Sequence, residues 1–221
     1  MFAAGSTIGL LTRMGLMNGT LGNHTGQVGN TVARNWKGLA VIALMPSTYN
    51  DANTVVQQGN RSTFKAAVEM GRQALNAIRV GLNQYQNGTT PWAQWVKLNK
   101  EKYQMVNGLP VLQSPLDVTF SRGTLDQLGV TNAVAAGANG VTVTWSNVNG
   151  GASGKPTDLV SVVIVDAAGE QAREFIGVAV RSAGTVTVQG GMGIVPAGGT
   201  AYAFAIDDMT GDTSNSEAST I

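Results

Sequence analysis

The sequence predicts an α+β chain: an N-terminal β-hairpin segment and an antiparallel helix pair, followed by an immunoglobulin- or fibronectin-like β-sandwich. Three observations carry this expectation. Between Phe64 and Tyr85 the large apolar residues Phe64, Val68, Leu75, Ile78, Leu82 and Tyr85 recur at alternating steps of four and three, with Gly71 in line. That spacing is the seam of an amphipathic helix. From Gly140 onward the period falls to two, as in Val141-Thr-Val-Thr-Trp145, with Val141, Val143 and Trp145 on one face. Short strands then follow at even intervals between Gly, Asp and Asn turns, with a tryptophan on an early strand.

Composition narrows the function classes. The 221 residues suit one large domain or two small ones. Only 12% are charged and the formal net charge is +1, so no basic excess steers the chain to nucleic acid or acidic membranes. Low charge also lets identical copies approach closely. The absence of cysteine removes disulfides, thiolate metal sites and cysteine nucleophiles together. Met1 to Met17 is mildly apolar but lacks a basic n-region, is interrupted by Gly5, Gly9 and Gly15 and contains Arg13. Neither a signal peptide nor a transmembrane helix is expected there.

Residues 1–18 read as an apolar arm. Phe2, Ile8, Leu10, Leu11, Met14, Leu16 and Met17 are too apolar to stay solvated, so the arm packs back on its own core or docks on another copy. Residues 19–110 read as a β-hairpin and helical region. Thr31–Trp36 and Leu39–Met45 are strands around a Lys37-Gly38 turn, and Pro46 ends the run. The long helix is expected from about Val55 to Gln86, capped by Ser47, Asn53 or Thr54 and stopped by Asn87-Gly88. Thr89, Thr90 and Pro91 restart a second helix, whose Trp92, Trp95, Val96, Asn99 and Tyr103 share a face. The expected helix-pair core is therefore Phe64, Val68, Leu75, Ile78, Leu82, Trp92 and Trp95, the tryptophans covering the seam.

Residues 111–140 read as an extended segment and linker, in which Val118 to Phe120 can supply a first sandwich strand. Residues 141–221 read as the sandwich, with strands at Val141–Trp145, Leu159–Val165, Ala172–Val180, Thr185–Gln189, Ala201–Ile206 and Ser214–Thr220.

Several short matches run through this order. They are Gly26-Gln-Val-Gly29, Trp36-Lys-Gly38 with the apolar strand and Pro46, Asn60-Arg61 with Phe64, and Arg79-Val-Gly81. Ala179-Val-Arg-Ser-Ala-Gly184 and Ser214-Asn-Ser216 follow. On these residues the chain, from about Gly26 to Ser216, resembles an uncharacterised family of Bacteroidota and their phages, known only as a domain of unknown function. Members often place Arg before the proline that ends the early strand; here Ala43 to Met45 precede Pro46. The resemblance implies a helical N-terminal part and a sandwich-like C-terminal part. It implies no catalytic residues.

Candidate chemistry is sparse. His24, the single histidine, lies in a glycine turn region without a nucleophile-elbow serine nearby. Asp207, Asp208 and Asp212 lack the alternation of a calcium loop and match a β-turn. Gly22, Gly26 and Gly29 lack the Lys-Ser/Thr of a phosphate loop. Arg34, Lys37, Lys97, Lys100 and Lys102 interleave with Trp36, Trp92 and Trp95, but tryptophans on a helix seam are core rather than a nucleic-acid surface.

No catalytic, cofactor or metal site is expected. The expectation is a non-enzymatic structural protein working by assembly with itself or with other structural proteins. Its place would be a virion or another extracellular assembly, with no nucleic-acid partner and no membrane insertion. The alternative is an extracellular or cell-surface binding module that recognises glycan or protein through sandwich loops. Exposed loop aromatics would favour it, yet Trp145, Phe175, Tyr202 and Phe204 all fall on strand positions.

Overall fold

The computed structural model describes residues 26–36, 39–45, 53–85, 88–137, 139–189 and 198–221. The chain divides into two units, Met1–Ala52 and Asn53–Ile221. In the first, β1 (Gly26–Val28), β2 (Thr31–Trp36) and β3 (Leu39–Leu44) form an antiparallel three-stranded sheet in that order. Gly29 turns β1 into β2 with φ +58°, a left-handed backbone that glycine adopts without penalty. Gly26 and Gly29 thus belong to one hairpin, in which Gly26 pairs with Ala33. The arm residues Phe2, Ile8, Leu10, Leu11, Met14, Leu16 and Met17, together with Gly22, His24 and Lys37, lie outside the described residues.

The second unit opens on helices. Thr54 caps α1 (Val55–Gln73) in a capping box: Gln57 N–H donates to Thr54 Oγ1 at 3.3 Å, and Thr54 N–H donates to Gln57 Oε1 at 3.2 Å. The long helix expected to run to Gln86 instead breaks at Ala74 and resumes as α2 (Leu75–Gly81). The break has a tertiary cause. Glu174 of a distant strand accepts the freed Ala77 N–H at 2.8 Å, and its other oxygen takes Asn76 Nδ2 at 2.5 Å. A carboxylate at the start of α2 meets the positive end of the helix dipole. Thr90 caps α3 (Pro91–Asn99), with proline at the first position as expected.

The β-rich half has two antiparallel sheets. One has the order β10–β7–β6, from Thr185–Gln189, Gly140–Trp145 and Val130–Ala136. The other has the order β12–β11–β8–β9, from Glu217–Thr220, Thr200–Ile206, Leu159–Val165 and Ala172–Val180. The chain crosses between them after β7, β9 and β10. The first strand is β6, inside the stretch read from sequence as linker. Among the described residues Val118 to Phe120 pair with no strand; Phe120 is instead a buried wedge between helices and sheet.

The four-stranded sheet is the middle of three layers. Val160, Val162 and Ile164 of β8, with Ala201, Ala203 and Ala205 of β11, face Val141, Val143 and Trp145 across the sandwich. Val163, Val165, Tyr202, Phe204 and Ile206 point the other way, into one core with Met70, Ile78, Leu82 and Trp95 of the helices. Burial on both faces is why Leu159–Val165 reads as a continuous apolar run rather than an alternating one. The helices and the sandwich therefore share a core and form one unit. An aromatic row stitches the layers: Trp92 stacks on Trp95 at 5.8 Å, Trp95 meets Phe120 at 6.2 Å, and Phe120 meets Tyr202 edge-on at 4.9 Å. Among the described residues no helix is long and apolar enough to cross a membrane.

Candidate functional site

The buried line of α1 and α2 mixes large residues with small ones. Ala67, Met70, Gly71, Ala74, Ala77, Ile78, Gly81 and Leu82 face the core. Gly71 is the reason: a Cβ there would lie 2.5 Å from Cζ3 of Trp95, so the indole sits directly on the backbone. Small residues around Gly71 admit the tryptophan. Of the expected helix-pair core, Ile78, Leu82 and Trp95 are buried, while Val68, Leu75 and Trp92 are half-buried. Phe64 is a correction, since it is 51% exposed.

Where α1 runs beyond the sandwich, a hairpin flanks it. β4 (Tyr103–Val106) and β5 (Leu109–Leu112) pair antiparallel around Asn107-Gly108, whose φ values of 50° and 82° make the two-residue turn. Tyr103 and Leu112 are opposite each other and buried. Met105 lies on the Tyr103 face and meets α1 at Gly59, where a Cβ would be 3.3 Å from its Cγ. Gln104, Val106, Leu109 and Val111 occupy the other face and are exposed. The first turns of α1 add Val55 at 85% exposure and Val56 at 73%; Leu109 is 67% exposed.

Open grooves run along this helix–hairpin surface and meet at Tyr103. One, of about 660 Å³, lies between α1, β5 and the turn from β8 to β9, with Glu69, Arg72, Leu109, Val111 and Glu170 on its walls. A second, of about 740 Å³, is lined by Val55, Val56, Ser62, Met105 and Gly108. The walls are fixed by hydrogen bonds. Gln73 donates to the Glu170 carbonyl at 2.9 Å and accepts the Ala172 N–H at 3.0 Å. Asp166 accepts the N–H groups of Glu170 and Gln171 at 2.8 and 3.0 Å. The Tyr103 hydroxyl lies 3.2 Å from the Gly169 carbonyl, its acceptor, and burial pushes its pKa well up. It therefore stays protonated at neutral pH and holds the turn rather than acting as a base. The walls of the first groove thus combine apolar Leu109 and Val111 with charges of both signs, Glu69, Arg72 and Glu170.

The other candidates are structural. Asp207 accepts Met209 N–H at 2.9 Å and pairs with Lys155 at 2.6 Å, and Gly211 turns at φ +75°, so Asp207–Asp212 is a pinned turn as expected. Among the described residues no three His, Cys, Asp or Glu side chains gather as metal ligands would. Trp145, Tyr202 and Phe204 are buried and Phe175 is half-buried, all on strands. One node escaped the sequence reading altogether. Buried Arg181 pairs with buried Asp158 at 3.2 Å and donates to the carbonyls of Gln127 and Asp126, while its own carbonyl accepts Trp145 Nε1 at 2.7 Å. Nothing local marks an Arg and an Asp 23 positions apart as partners. The hairpin did carry a signal, Asn107-Gly108 between apolar runs.

The chain belongs to the DUF6266 family, a family of unknown function, whose pattern matches residues 23–198. The matched stretch stops before β11 and β12, which complete the middle sheet. No curated protein matches the chain.

Proposed function

We propose that this chain is a non-enzymatic structural subunit that acts through protein–protein contact, assembling with copies of itself or with other structural proteins of a virion or another extracellular assembly. The observation that supports this reading is the helix–hairpin surface. Exposed Val55 and Val56 line one groove and exposed Leu109 and Val111 the next, the two meeting at Tyr103, on a helix held by a capping box and a hairpin held by strand pairing. Large apolar residues grouped on one surface mark an interaction site. Burying each such side chain is worth roughly 1.5–3 kcal/mol, and a capped helix with a tight hairpin pays little ordering entropy on binding. The near-neutral net charge of +1 leaves little repulsion between copies.

The test is the mass of the full-length protein by light scattering over a range of concentrations, with negative-stain images of the same sample. Closed oligomers, sheets or filaments are expected. A monomer at every concentration that also fails to join other structural proteins would sink the reading.

A further inference from the structure

We propose that the two grooves that line α1 from Val55 to Gln73, one against the tip of the β4–β5 hairpin and one against β5 and the β8–β9 turn, together seat the apolar arm Ile8–Met17 of a second copy of this chain. The inference rests on the assembly reading above and names the contact that makes the assembly.

Length, chemistry and edge geometry select this occupant. The 19 residues of α1 extend about 28 Å at ~1.5 Å per residue. The stretch Ile8–Met17 covers about 33 Å when extended at ~3.3 Å per residue. Gly9 and Gly15 disfavour a helix in the arm and suit an extended segment laid along a groove. Ile8, Leu10, Leu11, Met14, Leu16 and Met17 offer apolar side chains to cover the exposed surface of Val55, Leu109 and Val111. The arm's one charge, Arg13, meets a groove wall carrying two carboxylates, Glu69 and Glu170, against one guanidinium, Arg72. β5 pairs with β4 alone, so its second edge has no strand partner among the described residues and can take an added strand. An arm given by one copy and received by the next is a head-to-tail contact, which builds rings or filaments.

The chain has no cysteine, so single-cysteine variants of the full-length protein report the contact without background. Leu10→Cys chains are mixed with Leu109→Cys chains and oxidised. Leu10→Cys mixed with Thr187→Cys is the control, since Thr187 is exposed on the far sheet. About tenfold more disulfide-linked dimer is expected in the first mixture, because docking raises the effective concentration of the two thiols. Val111→Cys repeats the test on the same bare face should Leu109→Cys fail to fold. Equal yields in test and control overturn the proposed seat. A chain carrying both Leu10→Cys and Leu109→Cys that closes its disulfide internally, with no linked dimer on mixing, overturns the second copy as donor. Light scattering on the unsubstituted chain separates the two levels. Assembly with equal yields removes the arm's seat and leaves the subunit reading standing; a monomer throughout removes both.

Discussion

The two ends of α1 follow the same helical geometry and meet opposite fates. At its C-terminal end Ala67, Met70, Gly71 and Ala74 are fully buried, although three of the four are small. At its N-terminal end Val55, Val56 and Phe64 are exposed, although all are large and apolar. Hydrophobicity alone does not decide which face is covered. What decides is whether a partner fits, and Trp95 fits only where the helix surface is nearly flat. The buried end serves the fold, and the exposed end is the part that the proposed assembly would use.

Truncating the indole should have the largest effect. Trp95→Ala empties the centre of the aromatic row between Trp92 and Phe120. A loss of about 3–5 kcal/mol is expected from denaturant unfolding, as for other buried aromatics cut to alanine. Gly71→Ala attacks the same contact from the helix side. Its added methyl would lie within 2.9 Å of three indole carbons. Overpacking of this kind costs about 1–3 kcal/mol, against a gain of about 1 kcal/mol from better helix propensity. A net loss is expected; a gain would mean that the flat surface is not what admits the tryptophan.

The break between the two ends of the helical segment rests on Glu174. Glu174→Gln removes the charge from the start of α2 while keeping an oxygen near the Ala77 N–H. A loss of about 1 kcal/mol is expected, with greater hydrogen exchange at Ala77. This contact also marks where reading the sequence stops. Strand patterns such as Thr31–Trp36, Leu159–Val165 and Thr185–Gln189 were legible because alternation or a continuous apolar run states directly how many faces are covered. The caps at Thr54 and Thr90 were legible because their chemistry is local. Ala74 could not be read as a break, since alanine is the best helix former and the cause lies 100 positions away at Glu174. The seam was legible from Gly71 through Ile78 to Leu82 and failed at Phe64, because counting large residues overlooks Ala67, Ala74 and Ala77, which let a partner approach. The candidate surface was half legible, in Asn107-Gly108, but the exposure of its apolar face depends on what the rest of the chain leaves uncovered.

A contrast of two turns separates the regions by pH. The Asp207–Asp212 turn of the sandwich is pinned by charge, and Lys155 together with backbone N–H groups holds the Asp207 carboxyl down at about 2. The hairpin tip at Asn107-Gly108 carries no ionisable side chain. A carboxylate with a lowered folded-state pKa contributes stability that is complete above its unfolded value of about 3.9 and fades as pH falls towards 2. The melting-temperature gap between the unsubstituted protein and Asp207→Asn is therefore expected to stay level from pH 7 to about 4 and to narrow below that. Asn107→Gly should show no such pH dependence, since it changes only backbone freedom.

The smallest effect on stability should come from the residues with the largest consequence for assembly. Val55→Ser and Val56→Ser remove apolar surface that the folded chain leaves 85% and 73% exposed, and Phe64→Ser removes a side chain that is 51% exposed. Substitutions at such positions usually shift stability by no more than about 0.5 kcal/mol. Serine, phenylalanine and valine have nearly equal helix propensities, so the helix itself does not add to the change. Thermal unfolding of the triple variant under conditions that keep both proteins monomeric should therefore match the unsubstituted chain, while its mass by light scattering falls at every concentration where that chain assembles. If the triple variant unfolds several degrees lower, the N-terminal end of α1 belongs to the fold like the other end, and the contrast between them disappears. If it matches in stability and assembles unchanged, the contrast holds but the contact surface lies elsewhere on the molecule.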